Sequence, residues 1–277
     1  MVGSKARETV SWGQADPLIP LSTMPEESIH FENTRGERLA GTLHLPGGSP
    51  GAGVILAHCF TCSRHTTILR RCAQFLADAG LAALRFDFSG NGQSQGRFVE
   101  MSYTKHAGEL LTAAEYLRGR AIRIRGLIGH SMGAALVLLA GGQLPEIKGV
   151  CTLAGRLGGL APTEFLDPTQ QHQLAVQGRV AFASRGRQLE LTQAFFDDAR
   201  GLDLSRAIAG LHCPLLVVHG DRDGIIPVAE AEKGRALNPQ QATLHIVAGA
   251  DHMFSRAADR DAVAARVAAW FQEQIGP

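Results

Sequence analysis

The chain has almost no net charge, no long apolar run and few cysteines, and each shortage removes a class of protein. Its 27 lysines and arginines face 26 aspartates and glutamates, a formal net charge of +1. No basic patch can be read among the scattered arginines, so no electrostatic reason exists to expect nucleic acid or an anionic membrane as partner. No stretch approaches the roughly 18 uninterrupted apolar residues of a membrane span; the richest, Ala134 to Ala140, is far shorter. The opening "MVGSKARETVSWGQADPLIPLSTMPEE" lacks the apolar core of a signal peptide. Five cysteines in 277 residues are no disulfide framework, and an odd number leaves at least one unpaired. The expectation is a soluble, cytoplasmic protein with reduced thiols.

What is present is apolar material in a regular order. Hydrophobic residues make up 45% of the chain, ample for a sizeable core. Residues 1–27 are polar and aperiodic and are expected to form a flexible arm ahead of one domain, 28–277. Alternation in Ile29 to Glu32 and Arg38 to Leu45, around Thr34-Arg35-Gly36, predicts an antiparallel hairpin. Short apolar runs then alternate with helical stretches. "AGVILAHC", "LAALRFDF", "IRIRGLIG", "IKGVCTLAG", "CPLLVVHG" and "ATLHIVAG" read as strands. Helices are expected over Thr66 to Ala79, Tyr103 to Leu117, Met132 to Gly141, Ala229 to Leu237 and Ala257 to Gln274. Continuous apolar strands separated by helices predict an α/β fold, a mostly parallel sheet of about eight strands covered on both faces. Residues 155–212 break the rhythm with more chain than a crossover needs. They are expected to form an insertion over one end of the sheet, with a hairpin at Arg185-Gly186-Arg187 and a short helix in "TQAFFDDA".

Gly129-His130-Ser131-Met132-Gly133 fits G-x-S-x-G between an expected strand and an expected helix. That context makes Ser131 a candidate nucleophile held on a sharp turn, with small residues two before and two after it to avoid clashes. The following helix aims its N-terminal N–H groups at the site. A serine hydroxyl needs a base, and the base an orienting acid. Downstream, His252 stands on a loop after a strand and is assigned as base. His219 and His245 sit within apolar strands, and His172 and His212 belong to the insertion and its exit. Asp221 and Asp223 both follow the strand "CPLLVVHG". Asp223, further out, is the preferred acid; Asp221 is the alternative, with turn bracing as its other role. Asp251, next to the histidine, reads as a turn residue.

"HCFTCS", "RFDFSGNGQSQG", "GHSMG", "HGDRDGIIP" and "GADHMF" in this order resemble the α/β-hydrolase superfamily over Ile29 to Gln274. More narrowly, "HCFTCSR", "LRFDFSGNGQSQG" and "FFDD" resemble the hydrolase part of bacterial proteins fused to an OsmC-like domain, and feruloyl-esterase-like hydrolases are similar in outline. The chain departs from the fused proteins in ending just after the last helix, so nothing of their second domain is carried over. The resemblance implies an α/β-hydrolase fold and an oxyanion hole formed by the backbone N–H groups of Phe60 and Met132. It also makes Cys59-x-x-Cys62 part of the oxyanion loop, with Cys59 where the wider superfamily has Gly. Zinc would need further ligands, and a redox pair would need a thioredoxin-like pattern; neither is found. His58 is expected to brace this loop. Asp87 to Ser94 lacks the glycine spacing of a dinucleotide loop and reads as a structural loop beside the site.

The expected activity is a serine esterase that cleaves a small carboxylic ester through an acyl-enzyme on Ser131, with no metal or organic cofactor. Peptidase, thioesterase and acyltransferase chemistry are variants of the same mechanism, and a hydrolase-fold binding protein without turnover is the alternative from another class. Candidate substrate-pocket residues are His58, Phe254, Phe165 and Phe182. The expected partner is a small-molecule ester, with neither nucleic acid nor membrane.

Overall fold

A computed structural model describes residues 25–275. Eight strands form one sheet in the order β1-β2-β4-β3-β5-β6-β9-β10. β1 (Glu26–Glu32) and β2 (Arg38–His44) form the antiparallel hairpin, turned at Gly36 with φ 74°. β2 also pairs antiparallel with β4 (Ala82–Phe86). From β4 onward the ladder is parallel: β3 (Ala52–Ala57), β5 (Arg123–His130), β6 (Gly149–Leu153), β9 (Leu215–Gly220) and β10 (Ala242–Val247). β3, β4, β6 and β9 are buried at every position, which is why their sequences run apolar without alternation.

Helices cover both faces. On one side α1 (Thr67–Asp78) packs on α8 (Ala257–Ile275), through Leu69, Cys72 and Leu76 against Val263, Val267 and Phe271. On the other lie α2 (Tyr103–Gly119), α3 (Met132–Gly141) and α7 (Ala229–Leu237). α1 stops at Gly80, whose φ of 86° closes the turn with a bond from its N–H to Ala77 O. α2 starts at Ser102, whose hydroxyl accepts the N–H of Lys105 at 3.1 Å. α3 is apolar all round because it is buried on nearly every side.

Between β6 and β9 the chain forms α4 (Pro168–Gln177), the hairpin β7 (Arg179–Ser184) and β8 (Arg187–Thr192), α5 (Gln193–Arg200) and α6 (Leu204–Ala209). The hairpin turns at Arg185-Gly186, both at positive φ. Most of the arm expected over residues 1–27 lies outside the described residues. Glu26 and Glu27 do not belong to it: β1 includes them, held at the sheet edge by an ion pair from Arg120 to Glu27 at 2.8 Å. Their charge hid the strand, because an edge strand needs few apolar residues. Among the described residues, no helix is long and apolar enough to cross a membrane.

The expectation of reduced thiols fails at one pair. Cys59 and Cys62 are joined in a disulfide, across a turn in which the Cys62 N–H donates to Cys59 O at 3.2 Å and the Cα atoms stand 5.2 Å apart. That separation lies within the range a bridge requires. Cys72, Cys151 and Cys213 are free and buried, and burial pushes their thiols up, that of Cys72 to about 12 and that of Cys213 to about 11.

Candidate active site

β5 runs into Ser131 without a spacer, and α3 begins at the next residue, so the chain reverses at the serine itself. Ser131 takes φ 56° and ψ −115°, a strained conformation for a residue with a Cβ. The two glycines make the turn possible. A Cβ on Gly129 would collide with the carbonyl of Gly133, and one on Gly133 with the carbonyl of Ala57.

Three loops at the C-terminal edge of the sheet meet at this serine. His252, after β10, places Nε2 3.1 Å from Ser131 Oγ and Nδ1 2.8 Å from Asp223 Oδ2. Asp223, after β9, has a fully buried side chain. Its Oδ1 accepts the N–H groups of Ile225 and Ile226, each at 2.8 Å, while Oδ2 also lies 3.2 Å from His219 Nε2. Burial opposes its ionisation, but the hydrogen bonds from His219, His252 and the Ile226 backbone prevail and hold its carboxyl well below the usual range. Asp221 instead accepts the Gly249 N–H at 2.6 Å and so braces the β10 exit. Asp251 accepts the N–H groups of Met253 and Ser255 in a turn. Of the three carboxylates, only Asp223 meets the imidazole.

Phe60, in the disulfide loop after β3, and Met132, the first residue of α3, line the same cavity as the serine. The Phe60 ring is the centre of an aromatic group, with Phe98, Phe165, Phe182 and Phe195 all between 5.6 and 5.8 Å from its centroid. The inserted hairpin is tied to the same loop: Thr61 Oγ1 lies 2.8 Å from Ser184 Oγ, and Arg187 donates to Thr61 O at 3.1 Å. Asp87 stiffens the neighbouring loop by accepting the N–H groups of Arg64 (2.6 Å) and Gln93 (2.9 Å) and pairing with the Arg64 guanidinium.

Ser131 opens onto a cavity of about 300 Å³. Phe165 lines it. Phe182 does not line it directly but backs Phe60 in a stacked contact, 5.8 Å and 11° between planes. Two expected pocket residues lie elsewhere. His58 is wholly buried: its Nδ1–H donates to Cys59 O at 2.8 Å, and its Nε2 accepts the Phe88 N–H at 3.1 Å. It braces the loop and has no face left for a ligand; burial pushes its pKa down to about 4. Phe254 is turned into the core against α8 by the Asp251 turn, with its N–H on Asp251 O. Among the described residues no group of three or more His, Cys, Asp or Glu side chains is arranged to hold a metal ion.

The chain matches the alpha/beta hydrolase family over residues 46–266. It belongs to that family. Among known proteins, a monoacylglycerol lipase of Mycolicibacterium smegmatis is 28% identical over 237 residues, covering 75% of this chain and 82% of the lipase. The mitochondrial palmitoyl-protein thioesterase ABHD10 of Rattus norvegicus is 27% identical over 161 residues, 56% of this chain and 52% of that protein. Among solved structures, the esterase domain of a Rhodothermus marinus protein superposes with a TM-score of 0.72 at 29% identity, covering 91% of this chain and all of that one. Est1E of Butyrivibrio proteoclasticus, with ferulic acid bound, has a TM-score of 0.77 at 22% identity over 90% of this chain and all of Est1E, a likeness of fold. The chain is thus a hydrolase of the α/β family with esterase, lipase and thioesterase relatives.

In this α/β hydrolase the cavity has walls that sequence reasoning did not find. Tyr103 comes from the start of α2, Arg156 from the loop after β6, Glu164 from the segment before α4, and Ile225 and Ile226 from the Asp223 loop. Tyr103, Arg156 and Glu164 lie in no motif, and the two isoleucines lie in "HGDRDGIIP" only as neighbours of the acid. His219, set within an apolar strand and given no role by the sequence, holds the buried edge of Asp223 and also lies 2.9 Å from Ile226 O. His130, the variable residue of the elbow, directs Nε2 to His252 O at 2.9 Å. Position one residue before a motif serine, or four before the acid, was the available signal.

Proposed function

We propose that this α/β hydrolase is a serine esterase acting on small carboxylic esters, with Ser131 as nucleophile, His252 as base and Asp223 as orienting acid. The observation that carries the reading is the unbroken relay from Ser131 Oγ through the His252 ring to Asp223 Oδ2, at 3.1 and 2.8 Å. His252 takes the serine proton at Nε2 as Oγ attacks the acyl carbonyl, and the ionised Asp223 stabilises the imidazolium through Nδ1–H. The backbone N–H groups of Phe60 and Met132 have no acceptor among the described residues, and they receive the oxyanion. Donors of this kind contribute about 3 kcal/mol each to the transition state. His252 then gives its proton to the departing alkoxide, and the same base activates the water that frees the acid.

The leaving oxygen must sit at His252 Nε2. The cavity wall includes Ser131, Met132 and Phe60 but not His252, which supports assigning the cavity to the acyl group. About 300 Å³ with aromatic walls suits a short or compact acyl chain. The substrate is a small molecule in this reading, with no cofactor required.

The test is labelling with a fluorophosphonate, mapped to peptides and run beside Ser131→Ala, followed by matched oxygen esters and thioesters of graded acyl length. A single adduct on Ser131 that vanishes in the variant supports the reading. No adduct on the folded protein sinks it in favour of a ligand-binding role, and faster turnover of thioesters would move the activity to thioester hydrolysis.

A further inference from the structure

The cavity beside Ser131 contains three polar side chains that ester hydrolysis itself does not use. Arg156 is the one cationic residue and Glu164 the one anionic residue among its described walls, and Tyr103 adds a phenol. Arg156 follows β6, and its side chain is only 26% exposed. Its Nη2 lies 2.7 Å from Glu164 Oε2, and no other described group accepts from it. A guanidinium carries five N–H donors in a planar fork, so most of this one's donor capacity is unused. Glu230, whose charge also senses Arg156, is committed to the Gly158 N–H and Lys233.

The partner that holds Arg156 is loosely held itself. The Glu164 side chain is 60% exposed, so its pair with Arg156 is worth little and it can turn to water at small cost. Tyr103 stacks on Phe195 at 5.7 Å, and its hydroxyl has no hydrogen-bond partner among the described residues although it is not sealed from the cavity. Burial pushes its phenol up to about 12, against the pull of Arg156, so at neutral pH it is a donor. A half-buried cation with free donors, a phenolic O–H close enough to feel its charge and a displaceable carboxylate line one cavity. Another carboxylate, offered bidentately, would replace Glu164 with gain.

We propose that Arg156 and Tyr103 form a carboxylate subsite in the acyl cavity, that Glu164 occupies it when substrate is absent, and that the preferred substrates are monoesters of dicarboxylic acids. This rests on Ser131 being the nucleophile and on the cavity receiving the acyl group. The bound carboxylate restores the charge balance that Glu164 supplies in the free protein. Glu164 competes with substrate, and Arg156 selects it.

The experiment compares 4-nitrophenyl hemiesters of adipic and suberic acids with their methyl-capped diesters, which match them in length without the charge. The readout is the ratio of kcat/KM for hemiester over capped ester. The wild type is expected to favour a hemiester. Arg156→Gln should lower the ratio about tenfold or more, chiefly through KM, the loss expected for one charge-assisted hydrogen bond. Arg156→Lys should fall between, keeping charge without the fork, and Glu164→Gln should raise the ratio. If Arg156 and Glu164 merely pin the loop, both variants slow the two esters alike and the ratio does not move, which overturns the proposal. A second arm does not depend on turnover: monomethyl suberate is titrated by calorimetry into Ser131→Ala with and without Arg156→Gln. Weakening of about tenfold supports the subsite even if Ser131 proves unreactive; absence of binding, or binding indifferent to Arg156, refutes it.

Discussion

Three aspartates within two of the loops that meet Ser131 have the same chemistry and different work, and hydrogen bonds alone separate them. Asp223 has every oxygen committed inside the protein, to backbone N–H groups at Oδ1 and to His252 and His219 at Oδ2, whereas Asp221 meets Gly249 and remains exposed. Asp223→Asn is therefore expected to lower kcat by about three to four orders of magnitude, because an amide leaves His252 in the wrong tautomer and the imidazolium unpaired. Asp221→Asn should cost less than about tenfold, since it loosens a turn without touching the ring. Steady-state kinetics of the two variants side by side checks both, and equal losses would mean the acid is misassigned. His219 acts through Asp223. Removing its donor in His219→Phe raises the carboxyl's pKa, so the acid limb of the kcat/KM profile should move to higher pH while KM changes little. A His219→Gln variant that keeps a donor should recover part of that shift, as a merely structural position would not.

At the level of elements, the site is built where strands end and tight turns begin. The elbow works because β5 feeds α3 through a single strained residue, and a methyl at Gly133 would drive α3 away from the end of β3. The loop after β3 is closed by a second device, the Cys59–Cys62 bridge around Phe60, and the inserted hairpin rests on it through Phe182, Ser184 and Arg187. Replacing both cysteines by serine should lower stability by about 2 kcal/mol, the chain-entropy figure for so short a loop. Urea denaturation gives that number. The same variant should lose kcat more than KM, because what loosens is the proposed Phe60 donor for the transition state; unchanged kcat would show that the bridge does not govern the Phe60 N–H.

Across the whole molecule, one sheet separates two apolar layers, and several histidines are sealed between them. His44 and His106 are pushed down to about 3 and His58 and His130 to about 4, in each case chiefly by burial. Well above pH 6.5 these rings are neutral in both folded and unfolded chains, and their contribution is constant. As pH falls below 6.5 the unfolded chain takes up protons that the folded one refuses, so stability declines until pH reaches the folded values near 3 to 4. Unfolding at pH 5.5 should thus absorb at least about three protons, measurable from the pH dependence of the denaturant midpoint. A midpoint that stays flat from pH 7 to 5 would mean the histidines titrate freely in the folded protein.

The sequence by itself determined the α/β layering, the bounds of α3, α7 and nearly all of α8, and which serine and histidine converge, and it narrowed the acid to Asp223 or Asp221. Those features are local: an apolar run too short for anything but a buried strand, a glycine pair around a serine, a carboxylate or imidazole just past a strand. Parallel strands then bring all such ends to one edge, so the site follows from the topology. Only the tertiary structure decided the rest. It turned Phe254 and His58 inward, joined Cys59 to Cys62, placed His219 behind Asp223, and collected Tyr103, Arg156 and Glu164 around one cavity. Cavity walls come from segments far apart in the chain, and which side of a loop residue faces them is set by packing, which leaves no period or spacing in the sequence.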